Sequence, residues 1–137
     1  TYLTVFQTEE DFIIQNHHIM DNTVRNKSYA FALRIIKAYR FLSIEQKEFV
    51  LSKQLLRSGT AIGALIREAE HGESKADFIH KMNIALKEAN ETEYWLMLLH
   101  DSDYLESKVF ESIVEDCREI LKLLISIIKT SKKNKSN

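Results

Sequence analysis

From Lys27 onward the apolar residues of this chain return at alternating steps of four and three, and no proline interrupts them anywhere in 137 residues. The clearest run is Leu51, Leu55, Ser58, Ile62, Leu65 and Ala69. Steps of four and three keep side chains on one side of a 3.6-residue helix, and proline is the residue that most reliably breaks one. The rhythm appears three more times. Ala32, Ile35, Tyr39 and Leu42, widened by Phe31 and Ile36, form one run; Phe78, Met82, Ala85, Ala89, Thr92, Leu96 and Leu99 form another; Phe110, Val114, Cys117, Leu121, Leu124 and Ile128 form the last. Four amphipathic helices are predicted.

The breaks between these runs carry turn chemistry. Ser43, followed three residues later by Gln46, has the spacing of a capping box and predicts that the second helix starts after a very short connection. Gly72 is expected to close that helix in the left-handed conformation that glycine adopts most easily. Ser74, with Asp77 in the first turn, predicts the cap of the third helix, and Asp101, Ser102 and Asp103 mark the last break. Connections of a few residues make each helix antiparallel to its predecessor. The predicted fold is therefore all-α, an up-and-down antiparallel four-helix bundle over residues 27–130. Residues 1–26 lack a sustained helical period and read as an appended extension, poorly ordered or foreign to the natural protein, with Met20 available as a start. Residues 131–137 read as a basic C-terminal tail.

Composition sets further bounds. One domain accommodates 137 residues at 45% hydrophobic content, and the single cysteine, Cys117, has no partner for an internal disulfide. It lies on an apolar stripe and is expected to be a small buried hydrophobe. No apolar run approaches the roughly 20 residues of a membrane span, and no signal-like segment is visible, so a cytoplasmic location is expected. The formal charge of −1 conceals an uneven distribution: residues 1–26 hold four acids against one arginine, whereas residues 129–137 hold four lysines and no acid.

Two of the three glycines, Gly59 and Gly63, stand one turn apart inside the second helical run. A glycine within a helix costs about 1 kcal/mol relative to alanine, so a pair implies a helix packed unusually close. They belong to a second row, Leu56, Gly59, Gly63 and Ile66, and the fourth helix has its own second row in Ile113, Ile120, Leu123 and Ile127. Helices apolar over so much of their circumference need cover on more than one side. These eight residues are the expected helix-packing or oligomer interface, with self-association favoured over cover by the N-terminal segment.

The run QLLRSGTAIGALIREAE and the later ESKADFIHKMNIALKEANETEYWLMLL resemble the signature of the bacterial four helix bundle protein family, also called the 23S rRNA-intervening sequence protein family. Gln54, Leu55, Arg57 and Ser58 resemble one block of that signature; Ile62, Gly63, Ala64 and Glu68 a second; Ser74, Lys75, Asp77 and Phe78 a turn. Ile84, Ala85, Glu88, Glu91 and Glu93 resemble a helix, and the likeness spans about residues 26–130. Leu65, where the family often has asparagine, and the His71–Gly72 stretch depart from it. The resemblance implies a ring-shaped homopentamer, similar to the accessory protein of diversity-generating retroelements, and makes RNA or a nucleoprotein the customary partner.

The chain's own residues offer Arg57, Arg67, Lys75, Lys129, Lys132, Lys133 and Lys135 as candidate nucleic-acid contacts, because phosphate recognition needs clustered cations. Acids interleave with most of them, and a solvated, salt-bridged surface accounts for those charges equally well. Glu68 with His71, and Asp77 with His80, have helical spacing for metal ligands, but they flank a surface turn and the other helices offer no inward carboxylate. His17 and His18 are adjacent and would diverge on a helix. No metal, cofactor or catalytic residue is assigned. Glu93, beside the third stripe, is expected to be partly buried and paired with Arg57, since a buried charge needs a partner. The expected function is a non-enzymatic, oligomeric bundle that binds RNA or a nucleoprotein; the alternative is a protein-binding scaffold without nucleic-acid affinity.

Overall fold

The computed structural model describes the backbone of residues 9–135 and the side chains of residues 23–133. Four helices fill it: α1, Glu9–Arg40; α2, Leu51–Glu70; α3, Lys75–Asp101; and α4, Ser107–Lys135. Contacts run from α1 to α2, α2 to α3, α3 to α4, and from α4 back to α1. Paired positions show the direction of each helix. Arg25 and Ile35 of α1 meet Glu70 and Gly59 of α2, while Ser58 and Glu68 of α2 meet Thr92 and Lys81 of α3. Ala89 meets Cys117 across α3 and α4, and Lys27 and Arg34 meet Glu119 and Asp116 across α1 and α4. One number rises as its partner falls across α1–α2, α2–α3 and α1–α4, and across α3–α4 Ala89 meets Cys117 while His100 meets Phe110, so the bundle is up-and-down and antiparallel as predicted.

Helix α1 begins earlier than its apolar repeat and passes through the Asn26/Lys27 boundary. Its buried row is Val24, Ser28, Phe31, Ile35, Ala38 and Leu42. These too are spaced four and three; Phe31, Ile35 and Leu42 of the expected stripe lie in the row, whereas Ala32, Ile36 and Tyr39 are only half-buried and Val24, Ser28 and Ala38 complete it. The fourth helix also continues, through Lys135, where a tail was expected from residue 131.

The connection from α1 to α2 corrects the capping-box reading. Phe41–Glu45 form a wider π turn, and the Ser43 hydroxyl bonds back to the Tyr39 carbonyl at 2.8 Å instead of opening a helix. Lys47 then takes a left-handed conformation, φ 51°. The cap of α2 is Glu48, whose carboxylate accepts from the backbone N–H groups of Val50, Leu51 and Ser52 at 3.2, 3.1 and 2.7 Å. Those three donors belong to the first turn and lack carbonyl partners within the helix.

Gly72 is also corrected: its φ is not positive, and the left-handed residues are Lys47 and Asp103. What Gly72 supplies is room, because a Cβ there would lie 3.1 Å from both the Ala69 carbonyl and Asp77 Oδ2. Ser74 caps α3 as expected, accepting from Asp77 N at 3.1 Å.

Gly59 and Gly63 admit α1 of the same chain. A Cβ on Gly59 would come within 2.8 Å of Ile35 Cγ2; one on Gly63 would stand 3.4 Å from Ser28 Oγ. With α1 so close, Ile66, Ile113, Ile120 and Ile127 are all at least 96% buried within one chain, and Leu56 and Leu123 pack against the same core. The second apolar rows therefore find their cover inside the monomer. Between α2 and α3 the Ser58 and Thr92 hydroxyls lie 2.9 Å apart in the core, each also near a carbonyl of its own helix. Cys117 is fully buried, as expected, and burial followed by the negative charge of Glu93 pushes its thiol up to about 12.

The glycines should separate on substitution. Gly59→Ala drives a methyl into a branched side chain, so overpacking of about 1–3 kcal/mol outweighs the helix gain of about 1 kcal/mol, and urea denaturation should show a net loss. Gly63→Ala has room and should leave stability unchanged or raise it by up to about 1 kcal/mol. For Glu48, burial raises the carboxyl pKa, but the bonds from Ser52, Leu51 and Val50 outweigh it and hold it below the ordinary 4.5. A carboxylate lowered in the folded state stabilises fully above its unfolded pKa and loses that contribution as pH falls through the folded one. Glu48→Gln should consequently cost about 1 kcal/mol at pH 7, with the gap from the parent narrowing once pH drops below 4.5.

Candidate nucleic-acid interface

Antiparallel packing decides which basic residues meet. The register that sets Ala89 beside Cys117 carries Lys75, at the start of α3, to the level of the last turns of α4, where Lys129, Lys132 and Lys133 lie. Arg67 approaches the same end from α2. All five are exposed except for the contacts they make with the chain itself. Arg57 stands ten residues before Arg67 on the same helix, about 15 Å further along the axis. It does not join the cluster, and the side chain of Lys135 lies outside the described residues. Because α4 stays helical, Lys122, Lys129 and Lys133 recur at seven and four on one exposed face, a fixed row of positive charge.

The electrostatics of this end are mixed. Arg67 sits over the Tyr29 ring, 5.9 Å from its centroid, and shares an open groove between α2 and α3 with Glu68, His71, Glu73, Asp77 and Lys81. Lys81 reaches Glu68 at 3.5 Å, and Arg25 reaches Glu70 at 3.2 Å. The Glu–His and Asp–His pairs noted for metal spacing line or flank this groove. Among the described residues no three His, Cys, Asp or Glu side chains converge. The positive potential of the end therefore comes from α4 and Lys75, with the α2–α3 groove close to neutral.

Glu93 is half-buried, but its partner is Arg118, whose Nε donates to Oε2 at 2.7 Å. Glu93 projects from α3 toward α4. Arg57 lies across the other seam, where its charge acts on Glu88, whose carboxyl is raised by burial and by Glu91. A second constellation had no signal in the helical spacing. His100 Nδ1 lies 3.0 Å from Asp101 Oδ1, its Nε2 lies 3.0 Å from Ser107 Oγ, and its ring stacks on Phe110 at 4.3 Å. The order of groups is that of a hydrolase triad. Its carboxylate is 72% exposed on open surface, where water screens it, and the set fastens the α3–α4 connection.

The comparisons agree with this architecture. A family model described as 23S rRNA-intervening sequence protein matches residues 20–126. The chain belongs to that family. Among solved structures, it is similar to a protein of unknown function from the S23 ribosomal protein family of Bacteroides thetaiotaomicron VPI-5482. The two share 64% sequence identity with a TM-score of 0.79, covering 80% of this chain and 98% of the other. No curated protein matches it. The family match begins at residue 20, inside α1, so the family region takes in the buried Val24 together with Arg25 and its partner Glu70.

A double-mutant cycle checks the reassigned pair. Glu93→Gln with Arg118→Gln should show a coupling of about 0.2–1 kcal/mol, as is usual for a partly exposed bridge. Glu93→Gln with Arg57→Gln should show none.

Proposed function

We propose that this family member is a non-enzymatic, oligomeric helical bundle that binds RNA, alone or within a nucleoprotein, through the basic end of α4 and the start of α3. The observation that carries the reading is the convergence of Lys75, Lys129, Lys132 and Lys133 at one end of a bundle whose own family is named for an rRNA element. Phosphate contacts of this kind work by releasing counterions and need clustered charge more than a shaped pocket. A ring-shaped homopentamer, the assembly implied by the resemblance, would multiply the patch by its copy number. Arg67 borders the surface from α2, and Arg57, about 15 Å further along that helix, lies outside it. No metal or cofactor enters this reading, and a cytoplasmic setting suits it. No described helix is long and apolar enough to cross a membrane.

A scaffold that binds protein without nucleic-acid affinity is the second reading, favoured by Glu68, Glu73 and Asp77 in the same groove as Arg67. Fluorescence anisotropy with a labelled RNA hairpin distinguishes the two. RNA binding predicts an affinity that falls linearly with the logarithm of salt concentration. Replacing Lys75, Lys129, Lys132 and Lys133 by Gln should lower that slope by about 3–4 and abolish most of the binding. No anisotropy change at low salt would select the scaffold. Binding unchanged in the quadruple variant would place the site elsewhere.

A further inference from the structure

We infer that the corner formed by the end of α1, the π turn and the start of α2 docks another protein, through the apolar face of an amphipathic segment edged with carboxylates. The inference goes beyond RNA binding and does not depend on it. Four large apolar side chains crowd residues 41–50, with Phe41 and Phe49 41% and 55% exposed and Ile44 and Val50 67% and 71%. Exposed apolar residues scattered singly are ordinary; a cluster in one connection marks a contact surface.

The backbone holds these side chains out instead of folding them in. Fully buried Leu42 anchors the turn, while the Gln46 N–H donates to the Phe41 carbonyl at 3.2 Å and the Glu48 N–H to the Leu42 carbonyl at 2.9 Å. Lys47 takes its left-handed conformation between them, and the Glu48 carboxylate ties down three N–H groups at the start of α2. A surface fixed beforehand loses little conformational freedom on binding, so a small contact suffices to hold a partner.

Charge selects the partner. Exposed Arg40 precedes Ile44 by four residues, exposed Lys53 follows Val50 by three, and exposed Lys47 lies between. Glu45 is the exposed acid of the corner, because both oxygens of half-buried Glu48 are taken by backbone donors. Among the described residues none of the three cations enters an ion pair. The excess is positive, so the segment that covers the corner brings carboxylates, and opposite potentials orient such a contact. Ile44 and Val50, the most exposed of the four, are aliphatic, which suits side-chain packing better than base stacking. A flat anionic surface fits poorly. Exposed Asp101, Asp103 and Glu106 stand on or beside the α3–α4 connection at the same end of the bundle, where a lipid bilayer would press on them as well. A single segment of another protein follows α1 and α2 and avoids them. Lys75 and Lys129 lie at the opposite end, so both ends are usable at once.

Fluorescence anisotropy tests this with a labelled peptide that carries leucines on one helical face and glutamates on the rest, beside a matched peptide with lysines for glutamates. The glutamate peptide should bind the parent chain and the lysine peptide should not. Ile44→Ser with Phe49→Ser, and separately Lys47→Glu with Lys53→Glu, should each weaken binding about tenfold or more. Helical circular dichroism should stay unchanged, since all four side chains are exposed. Replacing Lys75, Lys129, Lys132 and Lys133 by Gln should leave peptide binding as it is in the parent, which separates this corner from the basic end. No binding of the glutamate peptide, equal binding of both peptides, or corner variants that bind as the parent does would each overturn the inference and leave the RNA reading standing. So would corner variants that instead lose RNA, lose phosphatidylglycerol vesicles in co-sedimentation, or fall in mass by light scattering, outcomes that give the corner to nucleic acid, lipid or a second copy.

Discussion

The seat of Ile35 on Gly59 sets the distance between α1 and α2, and most of the core depends on that distance. An alanine at the same place would hold the helices further apart, because its methyl and the branched Ile35 side chain compete for one volume. Once α1 is drawn in, Ile66 of α2 and Ile113, Ile120 and Ile127 of α4 lose their access to water. Each removes apolar surface worth about 1.5–3 kcal/mol when fully buried. Gly59 weakens α2 as an isolated helix and strengthens the bundle that contains it.

Much of this was legible because helical packing is periodic. The four-three steps locate four helices, Ser74 announces its cap by residue type and spacing, and Cys117 declares its burial by standing on a stripe. What escaped was whatever depends on choice among equivalents. Phe31, Ile35 and Leu42 were legible in the α1 stripe, but Ser28 and Ala38, which complete the buried row in the same rhythm, look weaker than the neighbouring Ile36 and Tyr39. Gly72 is compatible with either a left-handed turn or a tight space, and only the neighbouring Ala69 carbonyl and Asp77 carboxylate decide. Glu48 caps by reaching three N–H groups at once, a role that the usual Ser, Thr, Asp and Asn signals do not predict. Partners across a seam, such as Glu93 with Arg118, require knowing which helix lies on which side.

The same distinction governs the candidate surface. The lysines of α4 stood out as a charge run, but their geometry became meaningful only when the helix proved to continue through Lys135. A helical run has a fixed rise of about 1.5 Å per residue, so its amines cannot spread as those of a coil would. Lys75 joined them through antiparallel register alone, since more than fifty residues of chain separate it from Lys129. Arg57, equally basic and nearer in sequence to Lys75 than the α4 lysines are, was left out by the same register.

Lys47 and Asp103 are the residues with positive φ outside glycine among those described, and they stand in the two connections at one end of the bundle. Left-handed backbone costs a side-chain-bearing residue about 1–2 kcal/mol in general, less for aspartate, and glycine would relieve it. This chain places glycine elsewhere and keeps a cation in one turn and an anion in the other. Charge of opposite sign is thus retained, at a conformational cost, at two corners of one end of the bundle. The two bends that reverse the chain direction there also set a cation and an anion at the end of the bundle away from Lys75 and Lys129.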